Sequence, residues 1–360
     1  MCGRNDAFFS EYFIVTVPAY AVQLEGLYTA QVEVDDQSQS VRNQAIKKAL
    51  HTVVRKVSGR RSTLNNSPLL EALSNVGSYV EQFQYKKRDQ DNGYWLIVRF
   101  QKAALDRTLQ QFDVPVWGAN RPDVLLWLAV DDGNDRYILN SSTGKELADA
   151  LKQESLDAGL AVTLPLLDLA DQRAVSFNDI RAGFSEQIAL ASQRYSTNQV
   201  IFARLLKTNG IWQLNWTWLS EGRQYDGVEK SSGVSTVFQP VFIEMTEKLA
   251  DIYAPMGIVS LEKKLTIELI GVDDLLAFTR ATGYLSSLDM VKKLNWEQLQ
   301  GNKVVLNLVI TGDESVLIQT IALNDVLSPG SSQRIVAPVS VDINSLPAQP
   351  LEKVLYYRVN

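Results

Sequence analysis

Asp123 to Val130 reads Asp-Val-Leu-Leu-Trp-Leu-Ala-Val, a nearly continuous apolar run. A strand of this composition is buried on both faces, so its sheet needs helices layered on each side. The flanking pattern supplies them. An acidic turn leads to a helix from about Thr143 to Ala158, a strand at Leu160 to Leu164 and a helix at Arg181 to Tyr195. Val200 to Lys207, Ile211 to Leu219 and Gly222 to Lys230 then read as antiparallel strands, separated by Asn209-Gly210 and Glu221-Gly222. An amphipathic helix at Val234 to Tyr253 closes the unit. A crossover joined to a meander predicts one sheet with helices packed on it.

Units of similar size flank this one. Upstream, Leu27 to Val34 alternates as a strand, and Ser38 to Val57 places Val41, Ala45, Ile46, Ala49, Leu50, Val53, Val54 and Val57 at helical spacing. Ser58-Gly59 stops that helix. A short helix around Pro68 to Val76, strands at Tyr79 to Lys87 and Tyr94 to Phe100, and a helix at Lys102 to Gln111 follow. Val114-Pro115-Val116-Trp117-Gly118 breaks the pattern. Downstream, Lys264 to Ile270, Met290 to Trp296, Lys303 to Ile310 and Lys353 to Val359 read as strands. Helices at Asp273 to Leu288 and Glu314 to Leu323 give a βαββαβ order, the ferredoxin-like pattern, with Ser328 to Ser332 as a loop or extended tail. The fold class expected is therefore α/β (α+β): three small mixed-sheet domains with helices packed on the sheets, the last ferredoxin-like. The domains span residues 22–117, 118–255 and 256–360.

Residues 1–21 read as an atypical or truncated signal peptide. An apolar run from Tyr12 to Val17 precedes Ala19-Tyr20-Ala21, a small-x-small cleavage pattern, although the run is short and Glu11 interrupts it. Cleavage after Ala21 removes Cys2, the single cysteine, and leaves a chain suited to an oxidising periplasm. The alternative is a cytoplasmic protein translated from Met1. No later stretch approaches the length of a membrane-spanning helix, so no transmembrane segment is expected after residue 21.

Chemistry is sparsely provided. With one histidine, His51, the imidazole shuttle and the transition-metal site are both poorly supplied, so no metal and no cofactor are expected. The P-loop, the Rossmann glycine pattern and Gly-x-Ser-x-Gly are absent. With 35 basic and 41 acidic residues and a net charge of −6, the surface repels phosphate backbones, so nucleic acid is not an expected partner. Val304, Val305, Leu306, Leu308 and Val309 stand on the strand where an RNA-binding sheet would carry aromatics.

Three constellations remain. Lys47, Lys48, His51, Arg55 and Lys56 on the first long helix, with Arg60 and Arg61 beyond it, suggest an anion-binding patch, for which Lys48, Arg55, Lys56, Arg60 and Arg61 are the binding residues proposed. The competing explanation is positive charge offsetting a helix C-terminus. Trp212, Trp216 and Trp218 share one side of a strand, either as a platform for sugar rings or, as the polar alternation of Gln213, Asn215 and Thr217 favours, as core. Asp131, Asp132 and Asp135, with Asp168 and Asp171 in the next loop, have the chemistry of a two-carboxylate hydrolase. They equally have the chemistry of turns.

Arg42-Asn43-Gln44-Ala45-Ile46-Lys47-Lys48-Ala49-Leu50 with Val57-Ser58-Gly59, Tyr94 to Phe100, and Arg121-Pro122-Asp123-Val124-Leu125-Leu126-Trp127-Leu128 resemble a proteobacterial exported family catalogued as a domain of unknown function, numbered twenty sixty-six. The resemblance runs from about residue 25 to 255 and brings no catalytic residues. The first domain is similar, more weakly, to the N-terminal module of the flagellar basal-body T-ring protein. Through Arg194 to Arg204, the middle domain is similar to the α/β domain that precedes the propeller of the periplasmic Tol protein. These resemblances imply a periplasmic cell-envelope protein, not an enzyme, that binds or assembles envelope proteins or glycans. A carbohydrate-active hydrolase using the loop aspartates is the alternative, and a cytosolic ligand-binding protein the third reading.

Overall fold

The buried strand sits where its composition requires. In the computed structural model, β4 (Asp123–Asp131) is buried from Val124 to Val130 and lies inside a six-stranded sheet. The structure describes residues 24–88, 92–256, 262–330 and 354–360. The expected signal segment at 1–21, with Cys2, lies outside them.

The first domain is built from β1 (Thr29–Val34), α1 (Gln39–Ser58), α2 (Ser67–Ala72), β2 (Val80–Lys87), β3 (Tyr94–Phe100) and α3 (Lys102–Gln111). Its strands pair antiparallel in the order β1-β3-β2. The helical spacing on α1 becomes a buried stripe of Ala45, Ala49, Leu50, Val53, Val54 and Val57, packed with Leu96, Val98 and Phe100 of the sheet. Gly59 ends α1 in the left-handed region, φ 69°, and accepts close neighbours there. A Cβ at Gly59 would stand 2.6 Å from Ala250 Cβ and 2.9 Å from the Trp117 ring, so the helix end docks against the middle domain only because this residue has no side chain.

The middle domain continues with β5 (Arg136–Ile138), α4 (Lys145–Ala158), β6 (Ala161–Thr163), α5 (Leu169–Ala174), α6 (Phe177–Ala182) and α7 (Ser185–Ser192). It ends with β7 (Gln199–Thr208), β8 (Ile211–Ser220), β9 (Arg223–Ser231) and α8 (Gln239–Tyr253). The sheet runs β5-β4-β7-β8-β9, with β6 also paired to β4; β6 and β7 are parallel to β4 and the other pairs are antiparallel. Val124, Leu126, Leu128 and Val130 pack under α4 and α8, while Leu125, Trp127 and Ala129 join a second cluster with Ile180 and Ile188 of α6 and α7. The single helix expected from Arg181 to Tyr195 is interrupted. Gly183, at φ 78°, caps α6, and the chain restarts as α7 two residues later. The closing helix begins at Gln239 rather than Val234, with Pro240 in its first turn, where the missing N–H is harmless.

The third domain comprises β10 (Glu262–Ile270), α9 (Leu275–Ser287), β11 (Val291–Gln300), β12 (Lys303–Thr311), α10 (Glu314–Ile321), β13 (Leu327–Pro329) and β14 (Val354–Val359). Its sheet runs β11-β12-β10-β14-β13. The four expected strands take ferredoxin-like neighbours, with one departure. β14 runs parallel to β10, and the antiparallel position that follows α10 belongs to β13, one place further out. Part of the expected tail is thus a strand.

Lys56 lies inside the contact between the first two domains, donating to the Thr29 carbonyl at 2.9 Å and standing 3.8 Å from Asp157. Burial is the main influence on its ammonium and lowers its pKa to about 8, against the opposing pull of Asp157. The unfolded chain therefore takes up a proton between pH 10.5 and about 8 that the folded chain does not, and stability rises with pH across that window. We expect the unfolding free energy to climb by roughly 2 kcal/mol from pH 8 to 10 in the wild type relative to Lys56→Met. Parallel urea titrations of the two proteins measure it, and equal slopes would refute it.

Candidate functional site

The segment between α3 and β4 is where the three domains meet. Arg121, 2% exposed, lies at its centre. Its guanidinium donates to the carbonyls of Gly118 (2.9 Å), Gly159 (2.6 Å), Lys56 (2.6 Å) and Trp117 (2.7 Å), and stacks 4.0 Å from the Trp117 ring centroid. Two of these carbonyls sit at the C-terminal ends of α1 and α4, where the helix dipole is negative, so one cation serves both. Burial lowers the Arg121 pKa to about 9, still charged at neutral pH.

A network of ionic groups joins the first and third domains on the other side of this segment. Lys102 Nζ reaches Asp289 at 2.6 Å and Asp106 at 3.0 Å, the latter one helical turn along α3. Tyr28 donates its hydroxyl to Asp106 at 2.5 Å, and Asp289 also accepts from the Ala119 N–H at 3.3 Å. Burial works against the Lys102 charge, yet the hydrogen bond to Asp289 and the charges of Asp289 and Asp106 outweigh it and raise the pKa. Burial raises the Asp106 carboxyl against its bonds to Tyr28 and Lys102, and burial next to Asp106 raises the Tyr28 hydroxyl.

Beside the network opens a cavity of about 510 Å³. One wall is α3, with Lys102, Ala103, Asp106 and Arg107; the floor is Val116, Trp117 and Tyr253, whose rings stack with an interplanar angle of 3°; the far wall is Asp289, Met290, Lys292, Asp313 and Val316. Its size falls among small-molecule sites, ~300–1,000 Å³, which favour domain junctions.

The residues expected to bind anions are divided among other duties. Lys48 is exposed and Arg55 half-buried on α1, whereas Lys56 and Arg60 are buried. Arg60 donates to the Ala254 carbonyl and to Asp251, each at 2.8 Å, and Arg61 makes a two-pronged contact with Glu247 of α8 at 3.0 and 2.9 Å. The helix end that gathers these charges is docked on another domain, so Lys56 and Arg60 face protein, Arg61 is exposed but paired with Glu247, and the five do not assemble into one surface patch. His51 is half-buried on the same helix, its pKa lowered by burial and by Lys47.

The loop aspartates serve the backbone. Asp132 accepts from the N–H groups of Asn134 and Asp135, and Asp131 pairs with Arg136 at 2.8 Å. Asp168 caps α5 and holds Arg194 through both oxygens, an arrangement that keeps its carboxyl well below the usual range, with the Arg194 bond as the main cause. Asp171 is fully buried under Arg194, Tyr195 and the Leu167 N–H. Trp216 and Trp218 are core beneath α8, with Trp212 packed at their edge, and the Trp218 indole donates to Gln199 at 3.1 Å.

Among the described residues, no group of three or more His, Cys, Asp or Glu side chains is placed to hold a metal, and no helix is long and apolar enough to cross a membrane.

A family model described as a domain of unknown function, DUF8605, matches residues 21–118. That is a domain-of-unknown-function family, as the residues of α1 suggest, over a shorter stretch than 25–255. No curated protein matches the chain. Among solved structures, an uncharacterised protein is 11% identical, covering 36% of this chain and 90% of that one with a TM-score of 0.17. Formyltetrahydrofolate deformylases from Burkholderia mallei and Pseudomonas putida are 10% and 11% identical. They cover 57% and 52% of this chain and 94% and 87% of their own, with TM-scores of 0.18 and 0.17.

Gly118 gives the junction a sharp test. A Cβ there would stand 1.6 Å from Asp289 Oδ2, while the backbone is not in the left-handed region, so bulk alone forbids a side chain. Gly118→Ala should cost about 1–3 kcal/mol in the wild-type background and much less in Asp289→Gly, where the obstructing side chain is gone. A double-mutant cycle in urea measures this coupling, and an equal cost in both backgrounds would contradict it.

Proposed function

We propose that this is an exported, non-catalytic protein of the cell envelope that acts by holding other envelope components at the cavity where its three domains meet. One observation carries the reading: Asp131, Asp132, Asp168 and Asp171 are engaged in turns, helix caps and ion pairs and Lys102 in a domain contact, and an open cavity lies beside the network that locks the domains together. Export draws support from the Ala19-Tyr20-Ala21 pattern, at which the family match also opens. The finer resemblances, to the proteobacterial family numbered twenty sixty-six, to the flagellar T-ring module and to the Tol protein domain, point the same way, toward envelope proteins or glycans as partners.

Two measurements on the native host test this. Intact mass and N-terminal sequence should show a chain starting at Val22 in the periplasmic fraction. A photo-crosslinking residue at Ala103, in the cavity wall, should capture an envelope component that the same residue at exposed Lys48 does not. An uncleaved cytosolic chain, or identical capture at both positions, would refute the reading.

A further inference from the structure

The ionic groups around the cavity differ in what they have left to offer. Asp106 is bound by Tyr28 and Lys102, Asp289 by Lys102 and the Ala119 N–H, and Asp313 by Lys263 at 2.9 Å and by the first turn of α10. Lys102 is shared between two of these carboxylates. The two remaining cations are differently placed. Among the described residues, Arg107, exposed on α3, makes no hydrogen bond or ion pair, and Lys292 reaches only the carbonyl of Asp289, at 3.3 Å. One comes from the first domain and one from the third, and both line the same cavity.

The rest of the lining is mostly apolar or aromatic, with Gln110, Asn120, Thr311 and Thr320 as its uncharged polar members. Val116, Trp117, Tyr253, Pro255, Met290 and Val316 form a surface without charge. The Trp117 indole N–H is buried and has no hydrogen-bond partner among the described residues. Methionine at such a wall adapts to irregular apolar shapes.

We propose that the cavity takes a small amphipathic anion, with its apolar body on the half-buried Val116, Pro255 and Met290 surface, which the buried Trp117 and Tyr253 rings back, and its anionic head between Arg107 and Lys292. The inference rests on the cavity being the binding site and adds the chemistry of what it holds. The available cations select charge, and the apolar floor supplies most of the contact area. Because the two cations belong to different domains, the bound anion also bridges the first domain to the third.

The test is calorimetry on the full chain with three probes of equal chain length, decanoate and decyltrimethylammonium below their micelle concentrations and decan-1-ol below its solubility limit. Decanoate should bind at least about tenfold more tightly than the alcohol, and the cation should not bind. Arg107→Glu with Lys292→Glu should weaken decanoate about tenfold or more while leaving decan-1-ol and the melting temperature unchanged. Ala103→Trp, which fills the cavity, should abolish decanoate binding. Equal binding of decanoate and decan-1-ol, or decanoate binding indifferent to the charge reversals, would overturn the anionic class while leaving the cavity as a site. Binding by none of the three also overturns this inference, and the crosslink at Ala103 then decides separately whether the cavity holds an envelope component.

Discussion

Arg121 is the residue on which the arrangement of the molecule depends. A fully buried guanidinium without a partner would cost many kilocalories, so its five donors have to be met. Four of them are met by backbone carbonyls from the end of α1, the end of α4 and the connecting segment, with the Trp117 ring covering one face. Two of these carbonyls, of Lys56 and Gly159, are among those a helix C-terminus leaves unsatisfied. The cation and the two helix ends solve each other's problem, and in doing so they fix the first domain against the second.

The other contacts elaborate that junction. Gly59 brings the end of α1 against Ala250 and Trp117, Arg60 and Arg61 tie it to the end of α8 and to Glu247, and Lys56 is enclosed between the domains. On the opposite side, Gly118 admits Asp289 into contact with Lys102 and the Ala119 N–H. The third domain is therefore held by a segment whose path Arg121 sets. The cavity is the space left where the walls of three domains converge on this segment, and its shape follows from the same contacts.

Much of the architecture was legible in the sequence because it is written in local periodicity. The unbroken apolar character of Asp123 to Val130 marked a strand buried on both faces, and the alternation of Trp212 to Thr217 marked a one-sided core, as the structure has it. Local signals failed where a single residue overrides a pattern, as Gly183 does between α6 and α7, or where pairing is decided at long range, as in the parallel insertion of β14. The site was harder to read for a physical reason. The basic residues at the end of α1 look the same in sequence whether they face water or another domain, and only the docking of that helix end distinguishes the two. Lys102 and Asp106 could have been singled out as a pair one turn apart on a helix. Asp289, more than 180 residues away, could not, and nothing local marks Arg121 as buried except its place just before a buried strand.

The most direct measurement is equilibrium unfolding of Arg121→Met in the full chain, followed by tryptophan fluorescence and by far-UV circular dichroism. If Arg121 joins the domains, the substitution lowers stability by about 3–5 kcal/mol, and the two signals, coincident in the wild type, separate as the first domain unfolds apart from the second. An unchanged midpoint with coincident signals would contradict the account.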